Sequence, residues 1–277
     1  MKNLRNIDRR IIYVILLIAL GFPILNPIGA PFQVAKNTQI FYDRVDALEP
    51  GDVVVLSFDY APTSKDELNP GALAVMRHIL EQKKGVKLIM LGFWVSGPMF
   101  ADINMEALQE AGIGTDWVYG EDYASLGYVA GAENAISSFA QDVTGTFRRD
   151  RRGNRSDELP VLEGVEDASD IDLIVDFGSG TPGTPEFIRQ VVDPYKTEFI
   201  TVMVSVSVAG AMPYYNSGQL VAYLNGLRGA GEYEALYGFA GAGTAAMDSY
   251  SFGHLAIILF VLIGNIAYYA DPDRKKK

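Results

Sequence analysis

The chain has 277 residues, 49% of them hydrophobic, with 23 Lys+Arg against 34 Asp+Glu and a formal net charge of −11. It contains no cysteine and only two histidines, which excludes disulfides, thiolate nucleophiles and Cys-ligated metals and leaves zinc sites poorly supplied. Residues 11–270 alone hold 15 Lys+Arg against 31 Asp+Glu, so a field of about −16 disfavours nucleic acid and anionic lipid headgroups as partners.

Residues 1–10 carry Lys2, Arg5, Arg9 and Arg10, and residues 11–30 form an apolar run free of Lys, Arg, Asp and Glu. Twenty helical residues match the roughly 30 Å hydrocarbon core of a bilayer. Two readings fit this run: a secretory signal peptide, with Ile28-Gly29-Ala30 as a loose cleavage site, and a retained signal anchor, which is the expectation carried forward. Pro23 and Pro27 predict a helix that kinks or ends early. A second uncharged run covers 251–270 and is followed by Arg274 to Lys277 in the tail 271–277. Positive charge flanks both runs on their outer sides, so both termini are expected in the cytoplasm and residues 31–250 outside it. Within the second run, His254 is expected near the interface. Asn265 lies deeper, as an amide seeking a neighbouring helix.

Between the runs, a connector (31–50) holds a short helical pattern at 39–48. A β-branched strand follows at 52–58, a helix at 70–83, a strand at 86–95 and a helix at 98–111 closed by Gly112 and Gly114. A third strand is read at 115–119, a helix at 131–143, a buried strand at 172–177, a helix at 185–195 and a last central strand at 199–208. Helices at 216–227 and 232–239, interrupted by Gly229 and Gly231, close a segment whose small residues favour close backbone approach. This alternation predicts an α/β fold: a Rossmann-like parallel sheet with helices on both faces, flanked by N- and C-terminal transmembrane helices.

In such sheets ligands bind beyond the carboxyl ends of the strands. That edge should gather Asp59 and Tyr60, Trp94 and Ser96, Asp176 with Ser179 and Thr181, and Ser207 with Tyr214. The GSGTPGT loop lacks a Walker lysine and reads either as an anion-binding turn or as a plain helix-capping turn. Asp59, Glu121, Asp122 and Asp176 supply oxygen ligands of the kind Mg²⁺ or Ca²⁺ takes, yet acidic residues after strands commonly serve without metal, and no metal or cofactor is expected. Ser205 and Ser207 raise a serine-hydrolase reading for which a histidine base is poorly placed. Residues 144–170 interrupt the βα rhythm with a basic island, Arg148, Arg149, Arg151, Arg152 and Arg155. It reads either as a solvated excursion or as a docking loop for a neighbouring acidic protomer, and Asn154-Arg155-Ser156 fits a glycosylation sequon.

The stretches YGEDYASLGYVAG, ELPVLEGV, DIDLIVDFGSGTPG, PYYNSGQLVAYLNGLRGAGEYE and HLAIILFVLIGNIAYY together resemble a family of uncharacterised membrane-anchored proteins of bacteria and archaea. That resemblance covers most of residues 50–270 and implies no activity. The segment SFDYAPTSKDELNPGALAVMRHILEQKKGVKLIMLGF is similar, more loosely, to extracytoplasmic Rossmann-like domains of the gliding-motility and ABC-transporter auxiliary type, which implies a scaffold more than an enzyme. The expectation is therefore a non-enzymatic, membrane-anchored subunit of a homo-oligomer or larger membrane assembly, in contact with the lipid bilayer. Its alternative is a binding module for a small polar or anionic ligand at the sheet's carboxyl edge.

Overall fold

Buried β-branched runs dominate the centre of the chain and build its sheet. The computed structural model describes residues 8–269; Lys2, Arg5 and the basic cluster Arg274 to Lys277 lie outside the described residues. The elements are α1 (Arg9–Leu25), α2 (Lys36–Asp46), β1 (Val53–Asp59), α3 (Lys65–Gln82), β2 (Lys87–Gly92), α4 (Gly97–Glu110), β3 (Tyr123–Tyr128) and α5 (Glu133–Gln141). They continue with β4 (Leu173–Gly178), α6 (184–195, with a π turn at Ile188–Val192), β5 (Glu198–Met203), α7 (Val208–Ser217), β6 (Ala222–Asn225), α8 (Gly226–Tyr237) and α9 (Ala242–Tyr269).

All six strands are parallel, in the order β3-β2-β1-β4-β5-β6. This is the doubly wound Rossmann order, whose direction of progression reverses between β1 and β4. Every residue of β1 and β4 is buried, as strands covered on both faces require. On one face Leu56, Phe58, Val175 and Val202 pack with α2, α3, α4 and α8. On the other, Val55, Ile174 and Phe199 pack with Phe139 of α5 and Phe187 of α6.

Three strand readings differ from the sequence expectation. The third strand is Tyr123–Tyr128, not 115–119: Trp117 turns inward and donates to the Leu80 carbonyl at 3.1 Å, while Val118 stays exposed. The strand at 199–208 stops at Met203, because Glu67 accepts both the Ser205 amide and hydroxyl at 2.7 Å and pulls the chain into a turn that starts α7. The helix expected at 216–227 gives way to a sixth strand after Gly218, whose φ of 81° suits glycine, so β5 is not the last strand. Helix α3 also begins five residues before Pro70, led in by the turn Pro62–Ser64 and by burial of Leu68. Gly229 and Gly231 lie inside α8 without breaking it. A Cβ on Gly231 would meet the Gly243 carbonyl oxygen at 3.0 Å, so α8 and α9 cross in backbone contact.

Helix α1 starts from an Asp8 cap and ends at Leu25, short of residue 30, after Pro23 and before Pro27. Helix α9 runs unbroken for 28 residues and begins well before residue 251. Among the described residues it is the one helix long and apolar enough to cross a membrane, with a mean hydropathy of 1.8 in its apolar stretch. The two pack together: the Ser249 hydroxyl donates to the Leu20 carbonyl at 2.9 Å, and a Cβ on Gly253 would meet the Leu20 side chain.

Candidate functional site

The parallel register puts Ser57 opposite Asp176 and Asp176 opposite Thr201, so three polar residues align across β1, β4 and β5 on one face. Side chains two apart on a strand share a face, which adds Asp59 to the row. Asp59 and Asp176 are almost fully buried, and they meet. Asp59 accepts from the Ser57 hydroxyl and the Phe93 amide, each at 2.5 Å, and Asp176 Oδ2 accepts from the Thr201 hydroxyl at 3.1 Å. Asp176 Oδ1 has no partner among the described residues.

Burial raises the Asp59 carboxyl to about 6 against the lowering pull of its hydrogen bonds. Burial, and next the Asp59 charge, lift Asp176 well above the usual carboxylate range. Two such groups in one dry site titrate as a pair, and the pair holds one proton at neutral pH. That proton gives Asp176 Oδ1 a donor; a ligand N–H or O–H would do the same.

Asp176 and Thr201 form part of the wall of a cavity of about 280 Å³ beyond the ends of β4 and β5. Gly178 and Gly183 shape its loop: a Cβ would fall 2.5 Å from Asp176 Oδ2 at the first and 2.4 Å from the Gly180 carbonyl oxygen at the second. The loop contains a cis Thr181–Pro182 peptide and leads into α6, where Glu186 accepts the Gly183 amide at 3.0 Å and pairs with Arg189 at 2.9 Å. Met203, Val206 and Ala211 make the opposite wall apolar. With Asp59, Asp176 and Glu186 close by, the site is acidic. It disfavours an anion and favours a hydrogen-bond donor or a cation.

Of the residues expected at this edge, Asp176, Thr181 and Ser207 line the cavity, and Asp59 lies in contact with Asp176. Ser179 is bound through its amide to the Asp59 carbonyl at 3.1 Å. Tyr60 belongs to the core of the opposite sheet face, its hydroxyl donating to Asn69, and Ser96 donates to the Tyr60 carbonyl. Trp94 is half-buried outside the cavity lining, and Tyr214, on α7, packs against the core. Sequence reasoning missed Thr201, Met203 and Gly210. Thr201 had a signal, as the one polar side chain in the apolar run 199–203.

The other candidates lie apart. His78 engages Tyr233 at 2.7 Å and Asp46 at 3.3 Å, so Ser205, bonded to Glu67, has no imidazole. Asp122 accepts the Val118 amide, and no group of three or more metal-ligating side chains occurs among the described residues. The basic island folds onto its own domain. Arg151 pairs with Asp102, Arg155 with Asp157 and Glu158, and the Arg152 guanidinium lies 3.4 Å from the Tyr119 ring centre. Arg148 and Arg149 donate to the Gly145 and Gly153 carbonyls, and the Asn154 amide donates to Asp150 at 2.8 Å. Asn265 is exposed on α9.

No protein-family model matches the chain, and no curated protein matches it either.

Proposed function

We propose that this protein is a membrane-anchored binding module that takes a small neutral or cationic hydrogen-bond donor in the cavity at the carboxyl edge of its sheet. The buried carboxyl of Asp176 in the cavity wall carries this reading, because a buried acceptor is costly unless something donates to it. It stands next to the strand-order reversal, where doubly wound sheets place their ligands. The arginines that an assembly reading would offer to a neighbour are instead engaged within their own domain, which weighs for ligand binding over assembly.

The cavity can be closed without strain. A Cβ on Gly210, at the cavity wall, meets nothing within 4 Å. Gly210→Leu should therefore leave the unfolding temperature of the free protein within a few degrees while abolishing every stabilisation found in a thermal-shift screen of small polar amines, amides and polyols. Stabilisation that survives in Gly210→Leu, or a wild-type protein stabilised only by acids, would end this reading.

The placement proposed for the module is outside the cytoplasm, with α1 and α9 as a membrane hairpin and both termini inside. The 17 residues of α1 span about 26 Å, the short end of what crosses a bilayer. Protease added outside intact cells should then cut within 144–160 and leave terminal tags protected. Cleaved tags with an intact 144–160 loop would reverse the placement.

A further inference from the structure

A second cavity, of about 620 Å³, lies where α1 and α9 meet the α/β domain. We propose that it holds the headgroup and upper chain of a zwitterionic phospholipid of the phosphatidylethanolamine type, a proposal that rests on the membrane placement of the hairpin and is independent of the ligand at Asp176.

The position of the cavity follows from α9. Its exposed apolar stretch, from Leu255 to Ile266, lies between Tyr250 at the domain end and Tyr268 and Tyr269 at the other. Eighteen residues separate the first and second tyrosines, about 27 Å of helix, and tyrosine concentrates at both faces of a bilayer of that core thickness. Tyr250 thus marks the domain-side membrane interface, and it lines the cavity together with Ile24 from the end of α1.

The lining is amphipathic in the matching sense. Leu73, Leu227 and Ala246 give it apolar walls, while Lys65 and Asp66 stand at the start of α3. Both charged residues are exposed, and among the described residues neither makes an ion pair. One cation beside one anion complements a phosphate and a primary ammonium carried by the same headgroup, whose N–H groups can donate to Asp66 as those of no quaternary ammonium can. The acidic balance of the domain disfavours a headgroup with net negative charge. The volume is that of an ordinary ligand pocket, and Ile24 and Tyr250 in its lining place it beside the hairpin that the acyl chain would follow.

The test uses the full chain reconstituted in nanodiscs of equal parts phosphatidylethanolamine, phosphatidylcholine and phosphatidylglycerol, then extracted in mild detergent for native mass spectrometry. Wild type should retain phosphatidylethanolamine about tenfold over the other two, and Lys65→Glu should lose that excess while Lys65→Arg keeps it. Ala246→Trp, which fills the cavity from α9, should lose all retained lipid at an unchanged circular dichroism spectrum. Equal retention of the three lipids by wild type, retention of phosphatidylglycerol alone, or undiminished retention in Lys65→Glu would overturn the site. A chain that stays in solution without detergent would instead overturn the membrane placement.

Discussion

Asp248→Ala is expected to release the helical hairpin from the α/β domain and to lower stability by roughly 3 kcal/mol. Asp248 is fully buried, and its carboxylate accepts three consecutive backbone amides of the segment after α1: Ile28 at 2.6 Å and Gly29 and Ala30 at 2.8 Å. Hydrogen bonds to a charged acceptor contribute about 1.5–3 kcal/mol each, but Ile28 and Gly29 are exposed and their amides can turn to water, so the full sum is not lost. Asp248→Asn keeps one acceptor oxygen and should fall about midway. Thermal unfolding in detergent reads the stability, and protease cleavage between residues 26 and 35 reads the release. An alanine variant that melts at the wild-type temperature and resists cleavage there would show that the hairpin is held by helix packing alone.

The same economy of carboxylates runs through the whole junction. Glu234 accepts the amides of Gly241, Gly243 and Thr244, capping the start of α9, and Glu232 accepts the Ala35 amide and the Thr38 hydroxyl while pairing with Arg228. Three buried acidic residues therefore bind the connector, α8 and α9 into one body.

None of those three roles was legible in the sequence, because Glu232, Glu234 and Asp248 sit among glycines and alanines with no pattern to mark them as acceptors for backbone far along the chain. The strands β1, β2, β4 and β5 were legible, since each is a short, nearly continuous apolar run. Strands β3 and β6 were not. Ala124, Ser125 and Gly127 dilute the strand propensity of β3, and β6 has only four residues next to a helix-like pattern; pairing with β2 and β5 decided both. The strand-end rule reached Asp59 and Asp176, but it also gathered Tyr60, which alternation sends to the opposite face from Asp59. The contact between the two aspartates depends on the pairing of β1 with β4, and a list of strand ends does not contain it.

Asp176→Asn should make the protein more stable above pH 7, with a rise in Tm of several degrees, and change it little near pH 4. The carboxyls of Asp59 and Asp176 are both raised above the usual value of 3.8, Asp59 to about 6. In that window the folded state binds more protons than the unfolded state, so stability falls as pH rises from about 4 through about 6 and goes on falling above it while the pair still holds a proton. A shift of about two units on Asp59 alone corresponds to roughly 3 kcal/mol. Asparagine in place of Asp176 removes one of the two raised carboxyls and keeps an oxygen for Thr201; Asp59 stays raised by its own burial, so the variant should keep the decline through about 6 and lose the further decline above it. A variant that is less stable than wild type at pH 8 by as much as at pH 4 would show that the pair is a structural acceptor and not a strained one. Fold stability alone gives no reason to keep two carboxyls there; a ligand that donates into the cavity does. The proton still held by the pair at neutral pH occupies the acceptor such a ligand needs, so wild-type affinity should rise as the pH is taken above neutrality and that proton leaves, and the same titration in Asp176→Asn should show no such rise.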